Sequence, residues 1–125
     1  MIEALFNQPD YLAAKMNLDA AVVRQDAIAS NLSNLETPGY KRVDLDPTFQ
    51  KELERASASG DPQSMAGLKP TLAVDTTAAA VSPDGNTVNL EKELMQMNQN
   101  ALTHSYETEL ISNQLARLRL AITGH

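Results

Sequence analysis

Two stretches of the chain, one near each end, repeat apolar residues at alternating spacings of three and four. Such spacing places the repeated residues along one side of an α-helix, as in the seam of a coiled coil. The first seam comprises Tyr11, Ala14, Leu18, Ala21, Gln25, Ile28, Leu32 and Leu35. The second comprises Leu90, Leu94, Met97, Ala101, His104, Thr108, Ile111, Leu115, Leu118 and Ile122. The pattern predicts a mainly α fold, in which two long terminal helices pack as an antiparallel, coiled-coil-like pair.

Residues at the predicted helix ends agree with this interpretation. Pro9 and Asp10 suit the first turn of the first helix, and Asn89 suits the N-cap of the second. Gly124 can end the second helix. The polar seam residues, Gln25 in one helix and His104 with Thr108 in the other, would lie at similar heights and set the register.

The middle of the chain lacks a heptad pattern. Residues 43–87 hold four of the six prolines and three of the five glycines, so we expect an irregular connection that buries little. Residues 48–55 predict a short amphipathic helix that presents Phe49 and Leu53. Residues 57–67 predict a mobile linker, residues 71–75 a short strand, and residues 81–88 a small hairpin or extended arm around a Pro-Asp-Gly turn. We expect one domain, divided into 1–42, 43–87 and 88–125.

Placing the seams between the helices leaves other large apolar side chains pointing outward. These are Leu12, Met16, Val23, Met95, Leu102, Tyr106, Leu110 and Leu120. Either the middle segment folds back over them or other subunits bury them. Because the middle segment is poor in bulky apolar residues, we favour contacts between subunits.

Residues 29–42, ASNLSNLETPGYKR, join a helix end to a turn. A residue before proline avoids the helical region, so Thr37 and Pro38 should stop the helix, and Gly39 should complete a tight turn with Tyr40. Gly39 should need backbone angles closed to other residues, whereas Gly60 should not. We therefore expect Gly39→Val to damage assembly more than Gly60→Val.

Composition and charge exclude several classes of function. The net charge of −6, with scattered Lys and Arg, disfavours nucleic-acid binding, and the absence of cysteine excludes disulfides and thiolate metal sites. His104, Ser105 and Glu107 are too close along one helix to form a catalytic triad, so we expect no enzyme activity, metal or cofactor. Residues 1–6 do not resemble a cleavable signal peptide, and no apolar run is long enough to span a bilayer.

The corner sequence resembles the N-terminal signature of flagellar rod, hook and related axial proteins. Asn31, Asn34, Thr37, Pro38, Gly39 and Tyr40 occupy the motif positions. Residues 84–93, DGNTVNLEKE, look like the corresponding passage of the proximal rod proteins of the flagellar basal body, with Asn89 in place of an expected Asp.

This resemblance implies a structural subunit of the periplasmic rod, exported through the flagellar type III apparatus and able to transmit torque. The implied partners are copies of itself, other rod proteins and the adaptor that joins the rod to the MS ring. Two alternatives stay open: another small rod protein, and a soluble helical-hairpin module that acts as a chaperone or regulator.

Overall fold

The computed structural model describes residues 8–124, in which four helices and two short strands follow one another. The elements are α1 (Pro9–Ser33), β1 (Val43–Leu45), α2 (Pro47–Ser59), α3 (Pro62–Ala66), β2 (Leu72–Val74) and α4 (Leu90–Thr123). Two long terminal helices and a small sheet between them confirm the predicted fold class.

The ends of the long helices follow the residues that the sequence indicates. Pro9 occupies the first turn of α1, where its missing N–H costs no helical hydrogen bond. The Asn89 side chain caps α4 by accepting a hydrogen bond from the backbone N–H of Lys92 at 3.2 Å. Gly124 ends α4 with a left-handed φ of 72°.

α1 and α4 pack against each other along their lengths. Three side-chain contacts define their direction: Asn31 meets Glu93, Ala21 meets Asn100, and Asn17 meets Glu107. Residue numbers fall along α1 as they rise along α4. The two helices are therefore antiparallel, as predicted.

The face that α4 turns toward α1 is polar, which corrects the predicted seam. Its buried residues are Glu93, Asn100 and Glu107, spaced by seven. Of the predicted seam residues, Leu90, Leu94, Ala101, His104, Thr108, Leu115 and Ile122 are exposed, whereas Met97, Ile111 and Leu118 are half-buried. At about 100° per residue, the seam lies roughly 60° round the helix from the buried face. On α1, Ala14, Ala21 and Ile28 of the predicted seam are buried, and Ala21 contacts α4. Assigning the apolar seam residues of α4 to the contact was wrong, because the apolar core lies elsewhere.

That core lies between α1 and the middle segment. Its members are Leu12, Met16 and Ala20 of α1, Leu45 of β1, Phe49, Leu53 and Ala56 of α2, and Met65 of α3, with Val23 packed against them. Leu12, Met16 and Val23 therefore do not point outward, and their assignment to subunit contacts is wrong. The middle segment covers them because its few bulky residues, Phe49 and Leu53 of α2 and Met65 of α3, all belong to this core.

Residues 57–67 are ordered, so the prediction of a mobile linker is wrong. α2 continues to Ser59, and Gly60 ends it with a φ of 69°. Asp61 then caps α3 by accepting a hydrogen bond from the backbone N–H of Gln63. Met65 of α3 is completely buried, which holds this short helix on the core. Gly60 needs a left-handed conformation just as Gly39 does, so the expected difference between them has lost its basis.

The small sheet pairs β1 with β2 in antiparallel register, with Asp44 opposite Ala73. β2 confirms the strand predicted within residues 71–75. Residues 81–88 form a turn, in which the N–H of Val81 donates to the carbonyl of Asn86 at 2.8 Å, but neither arm is a strand. The predicted turn is present, but the two strands of a hairpin are not, so among the described residues this segment agrees better with the extended-arm alternative.

Candidate assembly surface and the corner that positions it

The corner after α1 is closed by a four-residue turn. The N–H of Tyr40 donates to the carbonyl of Thr37 at 3.2 Å, and Gly39 has a φ of 71°. A glycine with positive φ at the third position, preceded by proline, is typical of a type II turn. The tight turn predicted at Pro38 and Gly39 is confirmed. The Tyr40 hydroxyl lies 2.9 Å from the Ser30 hydroxyl and holds the turn against α1.

Asn31 is completely buried and joins α1 to β1 and α4. Its amide nitrogen donates to the carbonyl of Val43 at 2.8 Å and to Glu93 Oε2 at 3.2 Å. Its amide oxygen accepts a hydrogen bond from the N–H of Val43 at 2.9 Å. Asn34 acts locally, because its amide donates to the carbonyl of Ser30 at 2.8 Å. Both motif asparagines thus serve the fold of their own chain.

Asn86 holds the chain that leaves α1 from the other side of the corner. Its buried amide nitrogen lies 2.8–3.1 Å from three carbonyl oxygens, those of Asn34, Leu35 and Thr37. Asn34 is the C-cap of α1 and the other two residues follow it, so the buried donor serves backbone carbonyls of the turn just after the helix. The next residue, Thr87, donates its N–H to the carbonyl of Tyr40 at 3.0 Å. The approach to α4 is therefore fastened to the signature turn.

Arg42 is the centre of a buried group of charges beside the turn. Its Nε lies 2.7 Å from Glu93 Oε1, and its Nη1 lies 2.6 Å from Asp75 Oδ2 and 3.4 Å from Asp44 Oδ2. Its Nη2 donates to Gln96 Oε1 at 3.2 Å. Burial alone would lower the pKa of Arg42, but the hydrogen bonds to Glu93 and Asp75 and the nearby negative charges raise it above its usual value. Arg42 thus stays charged and ties the corner to β2 and α4.

The motif residues come together at this corner, but three residues that hold it were missing from the predicted site. These are Arg42, Asn86 and Glu93. The spacing of seven from Glu93 to Asn100 to Glu107 is the sequence signal that could have revealed the polar face of α4.

The side of α4 that faces away from α1 carries exposed apolar residues, which we call the outer stripe: Met95, Leu102, Tyr106 and Leu120. Leu102 is the most exposed, at 72%. Leu110, which was predicted to belong to the same surface, is half-buried. Isolated exposed apolar residues are ordinary, but a row along one helix is typical of a protein contact.

A second open surface lies in the groove between α1 and α4. The groove has a volume of about 480 Å³ and small residues at its floor, including Ala21 and Ala101, with Val22, Met97 and His104 beside them. Val22 is 49% exposed. His104 lines this open groove and does not set the register of the helix pair as predicted. Side chains from another helix can enter such a groove.

The described residues show neither a metal cluster nor a membrane span. Across residues 8–124, His, Asp and Glu side chains do not gather in groups of three that could hold a metal ion. Within the same range, no helix has both the length and the apolar character needed to cross a bilayer. The acidic residues of α4 differ in exposure: Glu93 and Glu107 are buried, whereas Glu91 and Glu109 are exposed.

An antiparallel helix pair, a braced turn and an exposed apolar stripe define a helical structural subunit. Residues 18–41 match the family model described as flagella basal body rod protein. This range includes most of α1 and the signature turn. The match thus falls on the elements that build the corner.

Several proteins named flagellar basal body rod protein FlgB are similar over most of this chain. The Escherichia coli K12 protein is 30% identical over 114 residues, which span 78% of this chain and 81% of that protein. A Cereibacter sphaeroides protein is 33% identical over 109 residues, spanning 81% of this chain and 84% of its own. The Borrelia hermsii protein is 27% identical over 122 residues, spanning 84% and 89%. The chain belongs to the FlgB-type flagellar basal body rod proteins, a structural family.

Proposed function

We propose that the chain is a structural subunit of the proximal rod and polymerises through α1 and α4. The observation that carries this proposal is the outer stripe of α4, which is exposed along a helix of a rod-family protein. Met95, Leu102, Tyr106 and Leu120 are the contact residues. Burying such side chains against a neighbour gives about 25 cal/mol for each Å² of apolar surface. Many shallow contacts of this kind favour a stable polymer over a stable free dimer.

The positions of the two open surfaces favour head-to-tail contacts between copies of the chain. The outer stripe lies on the far side of α4 from α1, whereas the groove lies between the two helices. A contact between two different surfaces is heterologous, and heterologous contacts generate rings or open helical assemblies. We infer that the outer stripe of one subunit packs at the groove of the next.

The braced corner supports a role in transmitting torque. Arg42, Asn31 and Asn86 connect the end of α1 to the start of α4 through buried hydrogen bonds. Bonds of this kind resist changes in the angle at which the chain leaves the helix pair. We infer that torque passes between neighbouring subunits through the helices while the corner keeps each subunit rigid.

The remaining parts of the proposal concern location and partners. We propose that the chain is exported unfolded through the flagellar type III apparatus, without a cleavable signal peptide, and assembles in the periplasm. Its neighbours are copies of itself, other rod proteins and the adaptor to the MS ring. Residues 1–42 and 88–125 act as the packing parts of a single domain, and residues 43–87 as the arm that covers α1.

The test replaces one residue of the outer stripe with a charged residue. Leu102→Glu places a carboxylate at the most exposed apolar position of α4, and Thr103→Glu places the same charge at the next, also exposed, position, about 100° round the helix from the outer stripe. Both variants are introduced into a strain that lacks the gene, and motility and the recovery of intact basal bodies are measured. Circular dichroism of each purified variant confirms that the subunit still folds.

We expect Leu102→Glu to abolish motility and rod recovery, because burying an unpaired carboxylate opposes subunit contact. Thr103→Glu should retain both. Normal rods with Leu102→Glu would refute the outer stripe as the contact. Recovery of the wild-type chain only from the soluble fraction, and never from detergent-washed basal bodies, would instead favour a chaperone or regulator.

A further inference from the structure

Glu107 is a buried acid in the middle of the α1–α4 contact. Its residue is 7% exposed, and its Oε2 atom has no hydrogen-bond partner among residues 8–124. Its side chain is hydrogen-bonded to Asn17 of α1. A buried carboxylate that lacks both a cation and a full set of donors is unusual, because burial penalises the charged form.

The surroundings on α1 offer no charge to this carboxylate. α1 is the element that packs extensively on α4 within the described chain. The residues three and four positions from Asn17, which share its side of α1, are Ala13, Ala14, Ala20 and Ala21. Lys15 and Asp19 lie two positions away, which places them about 160° round the helix.

On α4 itself, His104 is the titratable residue one turn before Glu107, and it is exposed. Glu109 is also exposed and lies two positions away. Within residues 8–124, none of the salt bridges includes Glu107. The nearest neighbours thus leave its ionised form without a cation.

Glu93, the equivalent residue two heptads earlier, has a different environment. It is 1% exposed, but Arg42 contacts Oε1 at 2.7 Å and Asn31 donates to Oε2 at 3.2 Å. Asn100, midway between the two acids, donates to the carbonyl of Ala21 at 2.8 Å. Two of the three polar positions are therefore satisfied, and the third has an unpartnered oxygen.

We propose that Glu107 is a proton-dependent latch in the α1–α4 contact, which holds the helices together when its carboxyl is protonated and weakens their contact when it is ionised. Burying the protonated, neutral carboxyl costs less free energy than burying the carboxylate, and its O–H group can donate a hydrogen bond. The ionised carboxylate needs water or a cation, and the alanines of α1 around Asn17 provide no cation. The latch lies on the same helix as the outer stripe.

The sign of the pH dependence follows from the direction of the shift. Burial raises the pKa of Glu107 above its ordinary value, and the hydrogen bond from Asn17 offsets only part of this change. Between the unfolded and folded pKa values, the folded chain therefore binds more protons than the unfolded chain. Stability must then fall as pH rises through this window, and the full loss is present above the folded pKa.

The experiment compares urea unfolding of the full chain at about pH 4 and about pH 8 in wild type and Glu107→Gln, which bracket the ordinary pKa values of glutamate and histidine. Glu107→Gln keeps the shape of the side chain and removes its charge. Glu109→Gln removes an exposed charge two residues away, and His104→Gln removes the neighbouring titratable group.

We expect Glu107→Gln to reduce the pH-dependent change in the unfolding constant about tenfold, the scale set by an unsatisfied buried polar group. Glu109→Gln and His104→Gln should retain the wild-type dependence. A wild-type dependence in Glu107→Gln would overturn the proposal. If that variant does not fold, carbon-detected NMR titration of the Glu107 carboxyl in the wild-type chain decides: a raised midpoint supports the latch, and an ordinary midpoint overturns it.

Discussion

Replacing Arg42 with alanine tests whether the buried charges hold the corner together. Within residues 8–124, Arg42 is the cation that contacts Glu93, and Glu93 is 1% exposed. Arg42→Ala would leave this carboxylate with the amide of Asn31 and without a positive charge. Asp44 and Asp75 also lose Arg42, but their side chains are 22% and 23% exposed and can be hydrated in its absence.

The size of the effect follows from these different exposures. Breaking a buried ion pair by removing one partner costs about 3–5 kcal/mol, because the remaining charge is uncompensated. The partly exposed pairs with Asp44 and Asp75 should each contribute no more than about 1 kcal/mol. A small domain is stable by about 5–15 kcal/mol in total, so Arg42→Ala should remove a large fraction of that stability.

Urea unfolding followed by circular dichroism measures this loss, and a double-mutant cycle assigns it. Glu93→Gln in the Arg42→Ala background removes the stranded charge, so the double variant should be more stable than Arg42→Ala alone. Arg24→Ala is the matched control, because its contact with Asp44 is 3.2 Å long but its side chain is 42% exposed. A loss below about 1 kcal/mol for Arg42→Ala, or no recovery in the double variant, would refute the reasoning.

Two further substitutions test the ordered middle segment and the turns. Met65→Ala should lower the free energy of unfolding by about 2–5 kcal/mol, because Met65 is completely buried. The control Gln63→Ala replaces an exposed residue of the same helix and should cost little. Equal melting temperatures for the two variants would show that α3 is not packed on the core. Gly39→Ala and Gly60→Ala should each cost about 1 kcal/mol, since both glycines have positive φ. Thermal unfolding checks this, and a loss at Gly39 alone would contradict the similar strain expected at the two sites.

The sequence carried strong signals for the helices and the turn because these depend on local chemistry. Asn89 and Gly124 mark the ends of α4 through capping and left-handed geometry, which neighbouring residues determine. Gly39 after Pro38 similarly indicates a tight turn. The antiparallel pairing could also be predicted, because two long helices run in opposite directions when the segment between them returns the chain to the first helix.

Which face each helix buries depends on contacts between distant residues and could not be read from one periodicity. Leu12 and Met16 were predicted to be exposed on the premise that the apolar side of α1 packs against α4. That side instead packs against α2 and α3. Phe49 was identified as part of an amphipathic helix, but its partner was not. Arg42 and Glu93 lie 51 positions apart, and no local rule connects them.

The Asn31 side chain has a further consequence for how copies of this chain can meet. Its amide presents one donor and one acceptor to Val43, which is what an adjoining strand would present to that residue. Unpaired strand edges recruit strands from other molecules and lead to aggregation. Because a helix side chain already occupies this edge of β1, sheet growth is blocked there. A subunit at high concentration is thereby protected on this side from amyloid-like stacking, while the outer stripe of α4 stays exposed.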